Sequence, residues 1–325
     1  MTSVGVSRRT VLRAGAGIAG AGLFGAGALG WTTAAGAAVP ASQRFDLSQP
    51  SYDLFRNKPL HESHHIMQGF TFDNVNRRLF VVQAQNGTTG TDLCVNQLDF
   101  AGNRIGYMHL NHAGHGVSIG VEPVGSSSYI WMECDADGTT TSARGTALAR
   151  FKFVSGQTPV LTKYLTGSTA ITCATDPINH RLLVRRSEGG AMWWSLFDLA
   201  DATAGDFSSP LVHVPQPVVS GTVFQGYTVL GSYAYMLDGT AIEDPGSDYQ
   251  NINSYVTSVD LTTGKIVQRS RTLAGKTLVY REPEGLAVYR TAAGQSRLFL
   301  GFGSRTTWAG PDDFANLFYK NVLVS

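Results

Sequence analysis

The sequence predicts an all-β protein, a five-bladed β-propeller whose blades are four-stranded antiparallel sheets. Three observations predict this fold: an internal repeat of five segments, short alternating apolar runs within each repeat, and abundant glycine, at 37 residues. Repeats of about 40–50 residues that contain four short strands are typical of propeller blades. Frequent glycine suits the many tight turns that such blades require.

Each repeat begins with a polar residue, usually followed by glycine, an apolar run, a turn and a second apolar run. The starting residues are Gln68, His115, Thr172, Gln225 and Glu284, and successive starts lie 47, 57, 53 and 59 residues apart. The third repeat has Cys173 where the others have glycine. Alternation and the enrichment in β-branched and aromatic residues predict a third and a fourth strand in most repeats.

The fifth repeat ends after its third strand, so a strand from the N-terminal side has to complete the last blade. The segment 42–47, with the sequence SQRFDL, has suitable alternation and is the predicted closing strand. Closure of this kind removes an exposed sheet edge. We therefore predict a lead-in over residues 38–63 and the propeller over residues 64–325. Helix should be scarce, with at most one turn in 311–318.

The N-terminal segment, residues 1–37, predicts an export signal of the Tat type. Arg8 and Arg9 precede a small, apolar, uncharged run, and Ala35-Gly36-Ala37 fits a small-residue cleavage site. Cleavage there leaves 288 of the 325 residues. A secreted or cell-wall-associated location is expected, and an uncleaved membrane anchor is the alternative. No later segment is long and apolar enough to span a membrane.

Charge and cysteine content narrow the functional classes. The net charge is +1, which gives no electrostatic case for nucleic acid binding. Cys94, Cys134 and Cys173 form no C-x-x-C pair, so a cysteine-based zinc site is not expected, and buried thiols are favoured. We expect a monomer whose partner is an extracellular or cell-wall polysaccharide.

Propeller geometry predicts that one face collects the candidate site. In an antiparallel blade the start of the first strand and the end of the second lie at the same face, so residues far apart in sequence meet there. Clefts with convergent polar groups are the default binding sites. The candidate ligand-binding residues are Gln68, Gln225, Thr172, His65, Glu133, Asp135, Asp238, Tyr249 and Trp308.

Glu284 and His115 are the candidate acid and base groups of this face. A carboxylate and an imidazole can share proton transfer at one bond, and Arg185 and Arg305 could neutralise a uronate or phosphate. Three functions stay open: glycan binding, glycan cleavage by a hydrolase or lyase, and a non-catalytic scaffold for protein interaction. An ion pair of Glu284 with Arg281 or Arg305 is the structural alternative.

No cofactor and no metal are predicted. His64-His65 could join His115 and Glu284 at a metal, but histidines in loops are more often hydrogen-bonded than metal-bound. A calcium ion held by Glu284, Asp135 and carbonyl oxygens is a further alternative. The sequence DADG that begins at Asp135 lacks the spaced acidic ligands of a calcium loop and predicts a turn.

Several sequence segments resemble those of the teichoic acid biosynthesis protein C-like propellers. These segments are QGFTFDNVNRRLFVVQ, LCVNQLDFAGNRIGYMHL, GHGVSIGVE and EPEGLAVYR. Such exported proteins are common in actinobacteria and share a domain with receptor-binding proteins of phages that infect Gram-positive cells. The resemblance covers residues 64–325 and implies a five-bladed propeller associated with cell-wall glycopolymers. It implies no defined catalytic mechanism.

Overall fold

The computed structural model describes residues 39–87, 91–139, 143–242 and 249–325, with only the backbone described at position 249. These residues form five four-stranded antiparallel sheets and one two-stranded sheet, so the predicted five-bladed propeller is confirmed. The predicted signal segment, residues 1–37, lies outside the described residues.

The strands follow one another as meanders. The N-terminal strands are β1 (Arg44–Phe45) and β2 (Tyr52–Pro59). Blade one contains β3 (Met67–Asp73), β4 (Arg78–Ala84), β5 (Leu93–Leu98) and β6 (Arg104–Leu110). Blade two contains β7 (Gly120–Val124), β8 (Ser127–Ala136), β9 (Gly145–Lys152) and β10 (Thr162–Tyr164). Blade three contains β11 (Thr172–Asp176), β12 (Arg181–Glu188), β13 (Ala191–Asp198) and β14 (Val212–Pro215).

The last two blades complete the ring. Blade four contains β15 (Phe224–Leu230), β16 (Tyr233–Asp238), β17 (Tyr255–Asp260) and β18 (Lys265–Arg271). Blade five contains β19 (Val279–Arg290), β20 (Ser296–Arg305) and β21 (Asp313–Lys320), with β2 as its fourth strand. Strand β22 (Leu323–Val324) pairs with β1 outside the blades.

Blades one and three have the same kind of turn between their first and second strands, and an aspartate side chain stabilises each turn. The Oδ1 atoms of Asp73 and Asp176 each accept hydrogen bonds from the backbone amides two and three residues further on, at 2.8–3.0 Å. The other carboxylate oxygen reaches the next blade. Asp73 Oδ2 accepts a hydrogen bond from the Ser128 hydroxyl, and Asp176 Oδ2 accepts one from the Gly231 amide, both at 2.6 Å. Each aspartate therefore fixes a turn and joins two blades.

The hydrophobic core lies between the blades. Among the described residues, five clusters of buried apolar side chains each join two neighbouring blades. Trp131 packs with Cys173 between blades two and three, and Trp194 packs with Tyr227 between blades three and four. Large side chains at blade interfaces supply most of the apolar burial that stabilises a ring of sheets.

The ring is closed by an N-terminal strand, but the predicted segment was wrong. Strand β2 pairs with β21, whereas the segment 42–47 contributes β1, which pairs with the chain end. Phe45 is fully buried between blades four and five, and its amide donates to the Tyr235 hydroxyl at 3.0 Å. The physical reason is that an outer edge strand is solvent-exposed and rich in charge, as β2 is. The apolar alternation of 42–47 instead reflects the burial of Phe45 and Leu47 between blades four and five.

Helix is scarce in the described residues, as expected, but it is not where the sequence suggested. The described residues contain one short α-helix, α1 (Leu199–Ala204), which ends at Gly205 in the left-handed conformation, and one turn of 3-10 helix at Tyr249–Asn251. Most of 311–318 belongs instead to β21, which is paired on both sides in blade five. The three cysteines are buried free thiols, which confirms that prediction.

Candidate functional site

One face of the propeller carries the starts of the first strands and the ends of the second strands, and we call it the upper face. The antiparallel registers place Thr172 opposite Arg185 and Phe224 opposite Asp238. Neighbouring strands of every blade are antiparallel, so third strands also begin at this face and fourth strands end there. The residues selected from the sequence therefore share one face.

Three of the polar starting residues lie at β-bulges. The register shifts between Met67 and Gly69 around Gln68, between Phe224 and Gly226 around Gln225, and between Pro283 and Leu286 around Glu284. A bulge inserts an extra residue and turns its side chain out of the regular alternation. At these three polar-Gly pairs the first strand therefore re-aims a side chain, whereas His115-Gly116 lies before β7.

Glycine after the polar residue lets the first strands meet at the axis. A Cβ on Gly69 would lie 2.5 Å from the Gly116 carbonyl oxygen, and a Cβ on Gly226 would lie 2.8 Å from the Gly285 Cα. A Cβ on Gly285 would lie 3.1 Å from the Gly69 Cα. The backbones of four blades thus touch, which holds the four preceding polar residues close to one another.

Blade three departs from this arrangement. Thr172 is almost fully buried, and its hydroxyl donates to the Tyr227 hydroxyl of blade four at 3.3 Å. The Tyr227 hydroxyl in turn donates to the Leu183 carbonyl oxygen at 3.3 Å. Thr172 was predicted to bind ligand, but the structure uses it to connect two blades.

Glu284 is a buried carboxyl group without a partner among the described residues. Its Oε2 is buried without a hydrogen bond, and its side chain takes part in none of the ion pairs described. Burial, and secondarily the nearby Glu282 carboxylate, hold the pKa of Glu284 well above its usual range. A raised pKa favours the protonated form of the carboxyl group, which can donate a hydrogen bond.

The alternative ion pair for Glu284 is not formed. Arg281 donates to the Ser254 hydroxyl and to the carbonyl oxygens of Ala274 and Thr272. Arg305 donates instead to Asp313, at 2.7 Å. Glu282, two residues before Glu284, lies within β19.

Arg185 lies half-buried beside a cleft between blades three and four. Its Nε donates to Gln216 Oε1 at 2.6 Å, and its guanidinium lies 4.1 Å from the centre of the Phe224 ring. Its two terminal nitrogens make no hydrogen bond or ion pair within the described residues. Burial lowers the pKa of Arg185 to about 10, which still leaves it charged at neutral pH.

The cleft itself has a volume of about 350 Å³. Its wall is largely apolar, and Asp238 is the predicted site residue that lines it. Its lining includes Met192, Gln216, Phe224, Met236 and Asp238. Such a wall with a few polar groups and a neighbouring cation suits a small polar ring that carries negative charge.

Residues 66–308 match the phage five-bladed β-propeller receptor-binding platform domain. The chain belongs to this family. Its five blades, and the closure of blade five by β2, are therefore features of a member of this family.

Two relatives place this propeller among known proteins. It is 27% identical over 263 residues to the putative major teichoic acid biosynthesis protein C of Bacillus subtilis, covering 74% of this chain and 56% of that protein. The tail fiber of Staphylococcus aureus phage P68 has the same fold, with a TM-score of 0.67 and 18% identity, over 85% of this chain and 54% of that chain. This propeller thus spans about half the length of both relatives.

Glu133 has a structural role in the receptor-binding propeller. Its side chain is fully buried and accepts hydrogen bonds from the amides of Gly116 and Gly145 at 2.7 and 2.6 Å, and from the His115 backbone. Burial raises its pKa, which the amides partly offset. The prediction that Glu133 contacts ligand is therefore not supported by its position, and its carboxylate instead fixes the backbone beneath the half-buried His115.

Three further predicted residues lie on the upper face but are bound to other side chains. Asp135 accepts from Lys163 at 2.7 Å, with both side chains partly exposed. Asp238 is bound by both terminal nitrogens of Arg269, at 2.6 and 2.7 Å. Arg305 is bound to Asp313, as noted above. A ligand that engages these groups has to share them with their internal partners.

The remaining predicted residues differ in accessibility. Gln68 is partly exposed near the axis, whereas Gln225 is buried and donates to the Gly239 carbonyl oxygen at 3.2 Å. His65 is half-buried, and burial lowers its pKa. Trp308 is 39% exposed and packs on Tyr280, which makes it an aromatic surface on this face. The side chain of Tyr249 lies outside the described residues.

The cleft residues Gln216 and Phe224 were missed by sequence reasoning. Phe224 directly precedes the Gln225-Gly226 pair, so its position at a first-strand start was a usable signal. Gln216 follows β14 and reaches Arg185 only through tertiary packing, which no local pattern reveals.

No helix in the described part of the chain is long and apolar enough to cross a membrane.

Proposed function

We propose that this propeller recognises a cell-surface glycan that carries an anionic group, and that it does so on its upper face. The family is described as a receptor-binding platform, and a relative is named for teichoic acid biosynthesis. The first description refers to a receptor, and the second refers to teichoic acid, a charged cell-wall glycopolymer. The predicted export segment is consistent with an extracellular site of action, and we include that location in the proposal.

The observation that carries the proposal is the Arg185 guanidinium beside the cleft. An arginine whose terminal nitrogens have no internal partner offers two parallel donors to a phosphate or carboxylate. Gln216 and Phe224 hold it in place, so little conformational freedom is lost on binding. The apolar wall beside it can cover the less polar face of a sugar ring.

The axis and the blade-five loop extend this site. Gln68 and His115 supply polar groups near the axis, and Glu284, whose pKa is raised by burial, adds in its protonated form a hydrogen-bond donor beside Gly285. Exposed Trp308 offers a ring on which a further sugar can stack. A polymer can therefore contact several points of one face, each of modest affinity.

Binding of the purified chain to wall teichoic acid and to a panel of uronate polysaccharides tests the proposal. We expect saturable binding that Arg185→Gln weakens about tenfold or more, as removal of a charge-assisted hydrogen bond does. Arg290→Gln is the matched control, because Arg290 ends β19 on the opposite face and is exposed. Equal weakening by both variants would mean that Arg185 has no specific role.

Glycan cleavage is the second candidate, and the raised pKa of Glu284 is what favours it. A carboxyl group that stays protonated at neutral pH is in the form required of a general acid. Reducing-end release and absorbance of unsaturated uronates, measured in the binding mixtures, separate turnover from binding. Saturable binding without either product would leave recognition as the function.

A further inference from the structure

A second group of ligating side chains lies at the border of blades five and one. Among the described residues, His61, Glu62 and His109 form one group whose potential metal-binding atoms all lie within 4.8 Å of one another. His109 Nε2 is 2.7 Å from Glu62 Oε1, and His61 Nε2 is 3.9 Å from the same oxygen. None of the three belongs to the site described above.

These separations fit a first-row metal ion. Bonds of about 2.0–2.1 Å to nitrogen and oxygen in tetrahedral geometry put neighbouring ligand atoms about 3.3 Å apart. The observed distances lie on both sides of that value. Small rotations of the two imidazoles would therefore bring all three atoms into contact with one cation.

Buried amide side chains fix the backbone that presents two of the ligands. Asn96 Oδ1 accepts from the His61 amide at 2.8 Å, and Gln83 Oε1 accepts from the Glu62 amide at 3.0 Å. Gln83 Nε2 also donates to the Glu62 carbonyl oxygen at 2.7 Å. Such supporting hydrogen bonds around a site hold ligands in place before the metal binds.

The side chains are oriented as well. The Asn86 amide donates to Glu62 Oε2 at 3.1 Å, which leaves Oε1 directed to the histidines. The His61 ring stacks on Tyr107, with ring centres 3.5 Å apart. Glu62 is 7% exposed, whereas His61 and His109 are 27% and 34% exposed, so water can reach the histidine side of the group.

We propose that His61, Glu62 and His109 bind one divalent transition-metal ion of the zinc class, with water completing its coordination. Two imidazoles and one carboxylate form a ligand set that suits zinc and its neighbours in the first row. Calcium is disfavoured, because it takes six to eight oxygen ligands. The site lies on the upper face, since β2 ends just before His61 and β6 ends just after His109.

The test is a titration of the metal-free purified chain with Zn²⁺ by calorimetry and with Co²⁺ by visible absorption. We expect one saturable site and the intense Co²⁺ bands of a tetrahedral centre. His61→Ala, His109→Ala and Glu62→Gln should each lower the affinity by at least about the 10–100-fold that loss of a supporting partner causes. His213→Ala is the matched control, because His213 lies 3.6 Å from Glu188 in a pair without a second imidazole.

Electron paramagnetic resonance of the Cu²⁺-loaded wild-type chain gives a readout that needs no variant. Coupling to two imidazole nitrogens is expected. The proposal is overturned if the wild-type chain binds Zn²⁺ no better than the His61→Ala/His109→Ala double variant, or if Cu²⁺ shows no coupling to two imidazoles. In either case the group is a hydrogen-bonded cluster only.

Discussion

Replacement of Glu284 by glutamine should stabilise the protein at neutral pH. Burial raises the native pKa of this carboxyl, whose Oε2 has no hydrogen-bond partner among the described residues, whereas the ordinary value of 4.5 applies in the unfolded chain. A carboxyl whose pKa is raised in the folded state loses stability as pH rises from the unfolded value towards the folded value. Glutamine has the same shape and carries no ionisable proton, so it removes this loss.

The magnitude follows from linkage. Each pH unit above the unfolded pKa costs about 1.4 kcal/mol for as long as the native group stays protonated. Because burial raises the native pKa of Glu284 well above 4.5, the advantage of the variant in the free energy of unfolding should grow at about this rate until the pH passes the native pKa. For a domain of this size each kcal/mol corresponds to roughly 2–4 °C in melting temperature.

Denaturant unfolding of the wild-type chain and Glu284→Gln at pH 4, 5.5 and 7 measures the effect. We expect equal stability at the lowest pH and an advantage of the variant that grows with pH. Glu188→Gln, at a partly exposed carboxylate paired with Arg186, is the matched control for the chemical change. A variant that is less stable than the wild-type chain at pH 7, or an advantage that does not change with pH, would refute the reasoning.

Three further changes test the architecture. Glu133→Ala should lower the free energy of unfolding by roughly 2–6 kcal/mol in thermal or denaturant melts, because two buried amides that it now binds would lose their acceptor; unchanged stability would contradict its structural role. Gly226→Ala should lower the free energy of unfolding by about 1–3 kcal/mol more than Gly125→Ala does, because both glycines have positive φ but only at Gly226 would a Cβ meet backbone atoms at the axis. Equal losses of stability in the same melts would mean that the backbone at the axis can relax. Removal of strand 52–59 should produce oligomers on size-exclusion chromatography, since it exposes the edge of β21; a stable monomer would show that the edge is protected in another way.

The blade architecture could be predicted from the sequence because its signals are local. Alternating runs and turn residues recur in each repeat, and they fix the number of blades without long-range information. The closing strand could not be assigned in this way. Strand β2 is largely exposed and charged, so it lacks the apolar alternation that the segment 42–47 displays, and only the pairing of β2 with β21 identifies it.

The candidate site was predictable in position but not in chemistry. Antiparallel topology alone put Arg185, Asp238 and Glu284 at one face. Their partners could not be predicted, because each depends on residues that only tertiary packing brings close. Arg269 is 31 positions from Asp238, and Gln216 is 31 positions from Arg185. Asp238 is thus bound by Arg269, whereas the terminal nitrogens of Arg185 and the Oε2 atom of Glu284 have no partner among the described residues.

The blade that breaks the repeat also borders the cleft beside Arg185. Four blades carry a polar residue followed by glycine, and their backbones meet at the axis. Blade three carries Thr172-Cys173 instead, and its hydroxyl is bound to Tyr227 of blade four. The Arg185 guanidinium and the cleft lie at this same interface. Because a ring of identical blades would present the same surface five times, a departure from the repeat is what can give one interface its own specificity. Restoring the pattern with Cys173→Gly while keeping Arg185 would therefore test whether the cleft depends on the irregular blade. Loss of glycan binding with retained folding would support that dependence, and unchanged binding would locate specificity in Arg185 alone.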